Sequence, residues 1–306
     1  MKVPTRSGGE GPGTRRSGVL RGGSLRRFQA ALAGWYRPRA RPLRIRSSTD
    51  PWAILVAEVM AQQTQIARVD QAWVEFMARY ATPHDLAHAA TADVLRSWAG
   101  LGYNRRAVNL QRAAIAISGQ HGGRVPADIE ALEALPGVGP YTARAVAATA
   151  FGQPVAPVDT NVRRVVSRLV GRRLTPTRLQ AEADALVDRT DPAAWTHASM
   201  DLGATICRAR EPRCDECPVS QWCASAGRVE TPERRPPGAA GVPFEQTTRW
   251  LRGRIVERLR DLDDDAWLQL PEVIGSHGAT PIGDAVAGLE RDGLVERRAD
   301  GAVRLP

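Results

Sequence analysis

The sequence predicts a mainly α-helical protein that ends in a small module of helices and a β-hairpin. Apolar residues recur at the three- and four-residue spacing of amphipathic helices through the first 226 residues, with little alternation of period two before residue 240. Residues 227–245, GRVETPERRPPGAAGVPFE, are rich in proline and glycine and indicate a linker. Residues 246–306 then combine helical spacing with a terminal hairpin signal.

The helical part begins with a short predicted helix over residues 25–38. A stronger start signal follows at Asp50-Pro51, because aspartate is favoured at the N-cap of a helix and proline at its first position. Prolines and glycines separate the helical patterns that come after it. These patterns predict helices at 65–80, 84–89, 91–99, 104–118, 128–134, 140–151, 159–170, 177–188 and 192–206.

The C-terminal segment has a different pattern. Residues 251–262 carry apolar side chains at helical spacing, and residues 285–294 indicate a second helix that ends near Asp292-Gly293. The final stretch, LVERRADGAVRLP, predicts a β-hairpin that turns at Asp300-Gly301. Two helices followed by a hairpin predict a winged-helix-like module over residues 246–306.

The chain is strongly basic, with a net charge of +9 and a pI near 10.3. This balance favours a polyanionic partner, because neutralising phosphates supplies most non-specific affinity for nucleic acid. Residues 1–24 are basic and glycine-rich, lack the apolar stretch of a secretory signal, and are predicted to form a disordered arm. No apolar run approaches the roughly 20 residues that span a bilayer. We therefore expect a cytoplasmic protein without membrane contact.

All four cysteines fall within one short run, with the spacing C-x6-C-x2-C-x5-C at Cys207, Cys214, Cys217 and Cys223. Disulfides do not suit a long chain without a secretory signal. Zinc sites usually pair two C-x2-C knuckles and only one is present, whereas a [4Fe–4S] cluster needs four thiolates and accepts uneven spacing. The run therefore predicts a [4Fe–4S] cluster, with zinc or unmodified cysteines as alternatives.

Two further patterns indicate contact with DNA phosphates. Leu135-Pro-Gly-Val-Gly139 predicts a tight turn between two apolar helices, in which the backbone N–H groups of Gly137, Val138 and Gly139 can approach an anion. The first inter-cysteine loop carries three arginines, which a metal-tied loop could hold toward phosphates and which could equally be solvated. They are Arg208, Arg210 and Arg213.

Two carboxylates are candidate catalytic residues. Glu58 lies in the apolar stretch ILVAEVMA, where burial raises a carboxyl pKa and suits a general acid, and Gln62 shares its helix face. Asp159 stands in VAPVDTNVRRV, where a helix should begin. A surface glutamate and an ordinary N-cap aspartate are the simpler interpretations of the two patterns.

Taken together, EVMAQQTQ, GLGYNRRAVNLQRAA, LPGVGPYTARAV, VDTNVRRV and the cysteine spacing resemble the A/G-specific adenine DNA glycosylases of the MutY type, within the helix-hairpin-helix superfamily. The resemblance covers about residues 27–226. It implies the helix-hairpin-helix DNA glycosylase fold, in which two helical subdomains enclose the active-site cleft. It also implies a [4Fe–4S] cluster and a monomer that acts on double-stranded DNA with a mismatched or damaged base.

The same resemblance assigns roles to the carboxylates and their neighbours. Glu58 is then the general acid that protonates the purine ring of a flipped adenine, and Asp159 stabilises the oxocarbenium-like sugar while water attacks. Asn161 corresponds to an asparagine that supports the site. Tyr141 occupies the position at which bifunctional glycosylase/lyases carry a catalytic lysine. Because Lys2 is the only lysine in the chain, we expect a monofunctional enzyme.

Residues of two loops are expected to contact DNA. Gln63 and Tyr103 match family residues that wedge into the duplex beside the orphaned base, and Gln62 belongs to the same QQT stretch. Packing of Tyr103 into the core is the alternative. The LPGVG turn and the cysteine loop match the elements that grip phosphates on either side of the flipped nucleotide.

The sequence also departs from the family pattern. Leu43-Arg44-Ile45-Arg46 lacks the tryptophan of the usual Leu-Pro-Trp-Arg, and Pro140 replaces an arginine. Residues 246–306 are too few for the Nudix-like domain with which well-studied members recognise 8-oxoguanine. Three functions therefore remain open: excision of adenine opposite 8-oxoguanine or guanine, which we expect; excision of thymine or uracil opposite guanine; and non-catalytic DNA binding by an iron–sulfur regulator.

Overall fold

The computed structural model describes residues 20–228, 242–263 and 266–306, so most of the predicted arm and linker lies outside the described residues. The α-helices are α1 (Gly22–Tyr36), α2 (Pro51–Ala61), α3 (Ile66–Arg79), α4 (Pro83–Ala87), α5 (Thr91–Ser97), α6 (Arg105–Gln120), α7 (Ile129–Glu133), α8 (Pro140–Ala150), α9 (Thr160–Val170), α10 (Pro176–Asp184), α11 (Pro192–Thr205), α12 (Thr248–Arg260) and α13 (Ala279–Arg291). The strands are β1 (Glu296–Arg297) and β2 (Val303–Arg304). Single 3-10 turns occupy Arg37–Arg39, Arg44–Arg46, Cys214–Glu216, Ser220–Trp222 and Phe244–Gln246.

The mainly α-helical architecture is confirmed, and each predicted helix is present with ends shifted by a few residues. Helix α1 begins at Gly22, inside the segment predicted as a disordered arm. None of the helices in the described ranges combines the length and apolar character that a membrane span requires.

The helices pack around two separate apolar cores. The first core is built by α2–α8, and the second by α1, α9–α11 and the segment that carries the cysteines. The chain therefore starts in one subdomain, builds the other, and returns. Helices α8 and α11 contact each other where the subdomains meet, and the cleft that holds the candidate catalytic residues lies at this junction.

Helix α2 runs through the first core. Its N-cap, Asp50, accepts hydrogen bonds from the backbone N–H groups of Trp52 and Ala53, each at 3.2 Å. Eight of its eleven residues are buried, and the Trp52 indole donates to the Tyr80 carbonyl at 3.1 Å. Because close packing leaves little freedom in such a position, α2 holds Glu58 in a fixed place.

The C-terminal module shows the predicted order of two helices and a hairpin. Glu296 pairs with Arg304, and Arg297 with Val303, in an antiparallel ladder. Leu268 extends this ladder by one bridge, because its backbone exchanges two hydrogen bonds with Val303. The order of elements is that of the winged-helix-like module expected from the sequence.

This module shares its core with the first subdomain. Ile255 of α12 has no exposed surface and lies in the same apolar cluster as α2. The Arg260 guanidinium crosses the junction and donates to the Leu95 carbonyl at 2.9 Å. The backbone N–H of Ala92 donates to the carbonyl of Pro306 at 2.8 Å. The module is therefore fixed to the helices beneath it.

We predict that Ile255→Ala lowers the free energy of unfolding of the whole protein by about 2–5 kcal/mol, because it removes buried methyl groups and leaves a cavity in the shared core. Arg258→Ala on the same helix, at a partly exposed position, is the control and should change stability by about 0.5 kcal/mol or less. Urea denaturation followed by circular dichroism measures both. If Ile255→Ala unfolded the C-terminal module at lower urea while the rest of the protein unfolded as in the wild type, the core would not be shared.

Candidate active site

Glu58 lies near the C-terminal end of α2 and reaches the cleft between the subdomains. Burial raises the pKa of its carboxyl from 4.5 to about 7. The nearby charge of Asp159 also raises this pKa, whereas a hydrogen bond from Tyr141 and the charge of Arg46 lower it. The side chain keeps some contact with solvent. A large protonated fraction therefore persists at neutral pH, and this group can donate a proton to a ligand in the cleft.

Tyr141 lies in the first turn of α8 and hydrogen-bonds to Glu58. Burial raises its pKa well above 10, and the negative charges of Glu58 and Asp159 raise it further. Its hydroxyl also lies 4.0 Å from the Met200 sulfur. The phenol therefore stays protonated and donates a hydrogen bond to Glu58.

Asp159 is the N-cap of α9 and also faces Glu58. One carboxylate oxygen accepts from the Val162 backbone N–H at 2.7 Å and the other from Asn161 Nδ2 at 2.9 Å. Its charge is close enough to raise the pKa of Glu58. The carboxylate therefore caps α9, as the simpler interpretation of the sequence predicts, and also lies close to Glu58.

A chain of hydrogen bonds joins Asp159 to the cysteine segment. The Asn161 side-chain oxygen accepts from Arg164 Nη2 at 2.8 Å, and Arg164 Nε donates to the Cys207 carbonyl at 2.6 Å. Arg164 also donates to the Gly203 carbonyl at 2.5 Å. Helix α11 approaches α9 so closely here that a Cβ on Gly203 would lie 2.6 Å from the Asn161 Cβ. The orientation of the Asp159 carboxylate thus depends on α11 and on the cysteine segment.

Sequence reasoning missed an ionic group beside the cleft. Asp201 on α11 is 2% exposed and accepts two hydrogen bonds from Arg46, at 2.8 and 2.9 Å, and one from Arg41 at 2.7 Å. Although burial alone raises the pKa of Asp201, these hydrogen bonds hold it below its ordinary value. The Arg46 charge also reaches Glu58. The available signal was an acidic residue inside an apolar helix, the same signal that singled out Glu58.

A buried arginine, Arg106, organises two loops at the end of α2. One terminal nitrogen donates to the carbonyls of Val59 and Met60 at 2.9 and 2.7 Å, and the other to those of Leu101 and Gly102, both at 3.0 Å. Burial lowers its pKa to about 10, so the guanidinium remains charged at neutral pH. It ties the loop after α2 to the loop before α6.

These two loops present Gln63 and Tyr103 to solvent. Both residues have left-handed backbone conformations, with φ of 56° and 45°, which cost about 1–3 kcal/mol each and require support from their surroundings. Tyr103 is 40% exposed, so the alternative that it packs into the core is wrong. The hydrogen bonds of Arg106 supply the required support.

The LPGVG turn joins α7 to α8. Gly137 has φ of 81°, and a Cβ there would lie 2.8 Å from the Asn109 Cβ, so only glycine fits this position. Gln62 Nε2 donates to the Gly137 carbonyl and to Thr142 Oγ1, both at 3.2 Å. Gln62 therefore braces the hairpin against α2, and the exposed Gly137 faces solvent.

The Cys207, Cys217 and Cys223 side chains pack against the second core, and the Cys214 thiol lies close enough to Cys217 to influence its pKa. Burial raises the pKa of the Cys217 thiol to about 11. The other three thiols also raise this pKa, whereas a backbone hydrogen bond from Val219 lowers it. All four are partly buried and free of disulfides. In the described ranges, no three or more Cys, His, Asp or Glu side chains form a group that could hold a metal ion.

The three arginines of the cysteine loop are exposed. Arg213 pairs with Glu216 at 3.1 Å and donates to the Thr205 carbonyl at 2.9 Å, while Arg208 donates to the Glu211 carbonyl at 3.1 Å. Arg208 and Arg210 present their charges at the surface. Arg213 is held within the loop.

The geometry agrees with the comparisons to known proteins. Residues 56–188 match the family model described as "HhH-GPD superfamily base excision DNA repair protein". The adenine DNA glycosylase of Mycobacterium tuberculosis (strain CDC 1551 / Oshkosh) is 42% identical over 282 residues, covering 90% of this chain and 92% of that protein. This chain belongs to the adenine DNA glycosylase family. It is a DNA N-glycosylase of base excision repair.

Solved structures bear out the fold of this adenine DNA glycosylase family member. A thermostable thymine-DNA glycosylase superimposes with a TM-score of 0.64 at 29% identity, covering 67% of this chain and 97% of that one. A non-covalent complex of endonuclease III with DNA gives a TM-score of 0.57 at 27% identity, covering 66% and 96%. The predicted helix-hairpin-helix glycosylase fold is confirmed.

We predict that Glu58→Gln changes how stability depends on pH. Because the folded-state pKa of Glu58 is raised from 4.5 to about 7, folding binds a proton, and the wild-type free energy of unfolding falls as pH rises through this range. The uncharged glutamine removes this loss. The variant should therefore gain about 2–3 kcal/mol relative to the wild type between pH 5 and pH 8.

Urea denaturation at each pH measures this difference. Glu133→Gln is the matched control, because Glu133 lies exposed on α7, and its curve should run parallel to the wild type. If the pH dependence of the free energy of unfolding were the same for Glu58→Gln and the wild type, the Glu58 carboxyl would not be held in a desolvated environment.

Proposed function

We propose that this enzyme hydrolyses the N-glycosidic bond of adenine mispaired with 8-oxoguanine or guanine in double-stranded DNA. The observation that carries the proposal is the pair of carboxyls in one cleft: Glu58, with a pKa of about 7, and Asp159, held by two hydrogen bonds. Two carboxyls in different environments divide acid and base roles. The name of the M. tuberculosis relative, which matches over 90% of this chain, supports adenine as the base.

The chemistry follows from the two environments. Protonated Glu58 donates its proton to a ring nitrogen of the flipped adenine, which leaves as a neutral base when the glycosidic bond breaks. Positive charge then develops on the sugar, and the Asp159 carboxylate stabilises it while a water attacks the anomeric carbon. The proton released by the water returns to Glu58. Tyr141 orients the Glu58 carboxyl through its hydrogen bond, and Asn161 orients Asp159.

The same residues support a monofunctional enzyme. A lyase reaction needs an amine that forms a Schiff base with the sugar. Tyr141 stands at the position of the catalytic lysine, and its hydroxyl is engaged by Glu58. The chain holds one lysine, Lys2, in its N-terminal arm.

DNA binding uses surfaces on both sides of the cleft. The backbone of the LPGVG turn and the exposed guanidiniums of Arg208 and Arg210 take phosphates of the strand that carries the adenine. Gln63 and Tyr103 fill the space that the flipped base leaves. A fold neighbour, endonuclease III, is known as a non-covalent complex with DNA, which supports DNA as the ligand.

The cysteines fit a [4Fe–4S] cluster held by Cys207, Cys214, Cys217 and Cys223. Their donor set consists of four free thiols, three of which pack against the second core, and four thiolates are the ligand set of such a cluster. When bound, the cluster supplies a covalent crosslink of the segment. Arg168 lies 3.4 Å from the Cys207 sulfur and compensates thiolate charge. Reduced thiols and a DNA substrate both favour the cytoplasm.

Excision of thymine or uracil opposite guanine is the second candidate. A thermostable thymine-DNA glycosylase superimposes over 97% of its length, and the thymine-DNA glycosylase of Aeropyrum pernix is 34% identical over 66% of this chain. A regulator without catalytic activity is the third, and retention of both carboxyls in the cleft argues against it.

One excision assay separates the three candidates. Duplexes bearing A:8-oxoG, A:G, T:G and U:G are incubated with the enzyme and then treated with alkali, which cleaves the strand wherever a base is lost. We expect release of adenine only, and a loss of about 10²–10⁴-fold in rate for Glu58→Gln with DNA affinity retained. Glu133→Gln should release the base at the parental rate. Cleavage of T:G and U:G alone would support the second candidate, and no cleavage with tight binding the third.

The cofactor is tested on the purified protein. We expect visible absorption together with bound iron and acid-labile sulfide, and loss of both in Cys217→Ala. A colourless protein with stoichiometric zinc would refute the iron–sulfur assignment. The result of the excision assay would be unaffected, because that assay depends on a different group of residues.

A further inference from the structure

An ionic cluster without a role in the proposed reaction lies beside the cleft. Asp201 on α11 is buried and holds two arginines of the segment between α1 and α2, Arg41 and Arg46. Arg46 is the more buried of the two, with 12% of its side chain exposed against 35% for Arg41. A buried ion pair adds little net stability, because the loss of hydration offsets the attraction between the charges. Stability alone therefore does not account for this cluster.

The Asp201 carboxylate engages both terminal nitrogens of Arg46. One nitrogen donates to Oδ2 at 2.8 Å and the other to Oδ1 at 2.9 Å, the two-point geometry that matches a guanidinium to a carboxylate. The first nitrogen also lies 3.5 Å from the Tyr36 hydroxyl. Among the described residues, Arg46 forms hydrogen bonds with Asp201 and Tyr36 and none with Glu58. The guanidinium is therefore turned toward α11 and the end of α1.

The charge of Arg46 nevertheless reaches the proton donor. It lowers the pKa of Glu58, but it is the weakest of four influences, after burial, the hydrogen bond from Tyr141 and the charge of Asp159. A cation that pairs directly with a carboxylate lowers the carboxyl pKa by about 1–3. A direct pair between Arg46 and Glu58 would therefore oppose the effect of burial and favour the ionised carboxylate at neutral pH.

Three elements direct polar side chains at Glu58. Tyr141 comes from α8, Asp159 from the N-cap of α9, and Arg46 from the 3-10 turn that precedes α2. Arg46 is the cation among the three. His197 of α11 lies close enough to Arg46 to feel its charge, but burial lowers the pKa of His197 to about 4, so the imidazole is neutral at neutral pH. The position of Arg46 therefore decides how strongly a positive charge acts on Glu58.

We propose that Asp201 is a positioning residue for the proton donor: it binds Arg46 as a counterion, so that the guanidinium does not pair with Glu58 and the acid keeps its proton. The inference rests on the proposed role of Glu58 as the general acid, and it adds a residue that acts on this acid through Arg46. Helix α11 packs against α1, α8 and α9, so the carboxylate that holds Arg46 is itself fixed in place.

The variant Asp201→Asn removes the counterion and changes the size of the side chain very little. An amide carries no charge, and it presents N–H donors where one Arg46 nitrogen now finds an acceptor. The pair loses the attraction of opposite charges and one of its two hydrogen bonds, and the half-buried guanidinium is left without a carboxylate. Glu58 then becomes its alternative partner, because the charge of Arg46 already reaches it.

The test is the pH dependence of adenine release in a single turnover, with the A:8-oxoG duplex saturated by enzyme. The parental rate should fall as pH rises through about 7, because Glu58 loses its proton there. In Asp201→Asn this fall should move to lower pH by about 1. The rate should then drop roughly tenfold at pH 7.5 and stay within about twofold of the parent at pH 5.5. An equal loss at every pH would indicate a merely structural role and overturn the proposal.

Variants of Arg46 test whether Asp201 acts through it. Arg46→Met removes the cation, so the fall in rate should move to higher pH, and the double variant should follow Arg46→Met rather than Asp201→Asn. A double variant that keeps the full loss of Asp201→Asn at pH 7.5 would overturn the proposal. Arg44→Met is the matched control, because it removes the same charge from the same 3-10 turn at a side chain that is 62% exposed. Its pH profile should match that of the parent.

The proposal can be tested even if Asp201→Asn does not fold. Arg46→Met leaves Asp201 with its hydrogen bond from Arg41, and thermal unfolding shows whether each variant is folded. A folded Arg46→Met whose fall in rate stays at the parental pH would show that the guanidinium has no influence on Glu58. The reason for holding Arg46 would then be gone, and the proposal with it.

A second measurement follows Glu58 without any substrate. The free energy of unfolding of each protein is compared with that of its Glu58→Gln counterpart between pH 5 and pH 8. The gain from Glu58→Gln should be smaller in the Asp201→Asn background than in the parent, because a carboxyl with a pKa closer to 4.5 takes up less of a proton on folding. Equal gains in the two backgrounds would overturn the proposal.

The unfolding comparison separates this inference from the proposed function. A parent enzyme that releases no base from any duplex refutes the excision, and the unfolding comparison still shows whether Asp201 protects the proton of Glu58. A parent that releases adenine, with the same pH profile and the same gain from Glu58→Gln in the Asp201→Asn background, refutes the role of Asp201 alone.

Discussion

The structure depends on the burial of one helix that carries a carboxyl group. Helix α2 is apolar on nearly every side, and its packing in the first core is what forces Glu58 into a poorly solvated position. A charged carboxylate is disfavoured there, so the same packing that stabilises the subdomain sets the proton affinity of the site. The C-terminal end of α2 is completed by Arg106, whose donors satisfy carbonyls that the helix leaves open. Glu58 and the loop that carries Gln63 are therefore placed by a single element.

Local patterns were sufficient for the fold and for the carboxylates. The helix boundaries followed from Asp50-Pro51 and from the prolines and glycines between apolar patterns, because these signals act within one turn of chain. Glu58 was found because a carboxyl interrupts an apolar stretch, and Asp159 because it stands where a helix begins. Gly137 was found because a tight turn demands it.

Long-range pairs were not predictable in the same way. Asp201 and Arg46 are separated by 155 residues, and no local spacing connects them. In the sequence, Arg106 looks like an ordinary basic residue on a helix. In the structure it lies beneath two loops and donates to five hydrogen-bond acceptors. The sequence predicted a C-terminal module but not that its apolar face completes the core around α2. That fact brings Arg249 to Tyr103, which lies 146 residues away.

The close approach of α11 to α9 bears on how natural variants of this chain should be interpreted. Gly203 touches no substrate and looks like a simple packing position. Any side chain there displaces Asn161, and with it the hydrogen bond that orients Asp159. A replacement of this glycine in a clinical or environmental isolate therefore belongs with changes to the proposed reaction centre, even where the protein is expressed and folded. A ranking by distance from the DNA would overlook it.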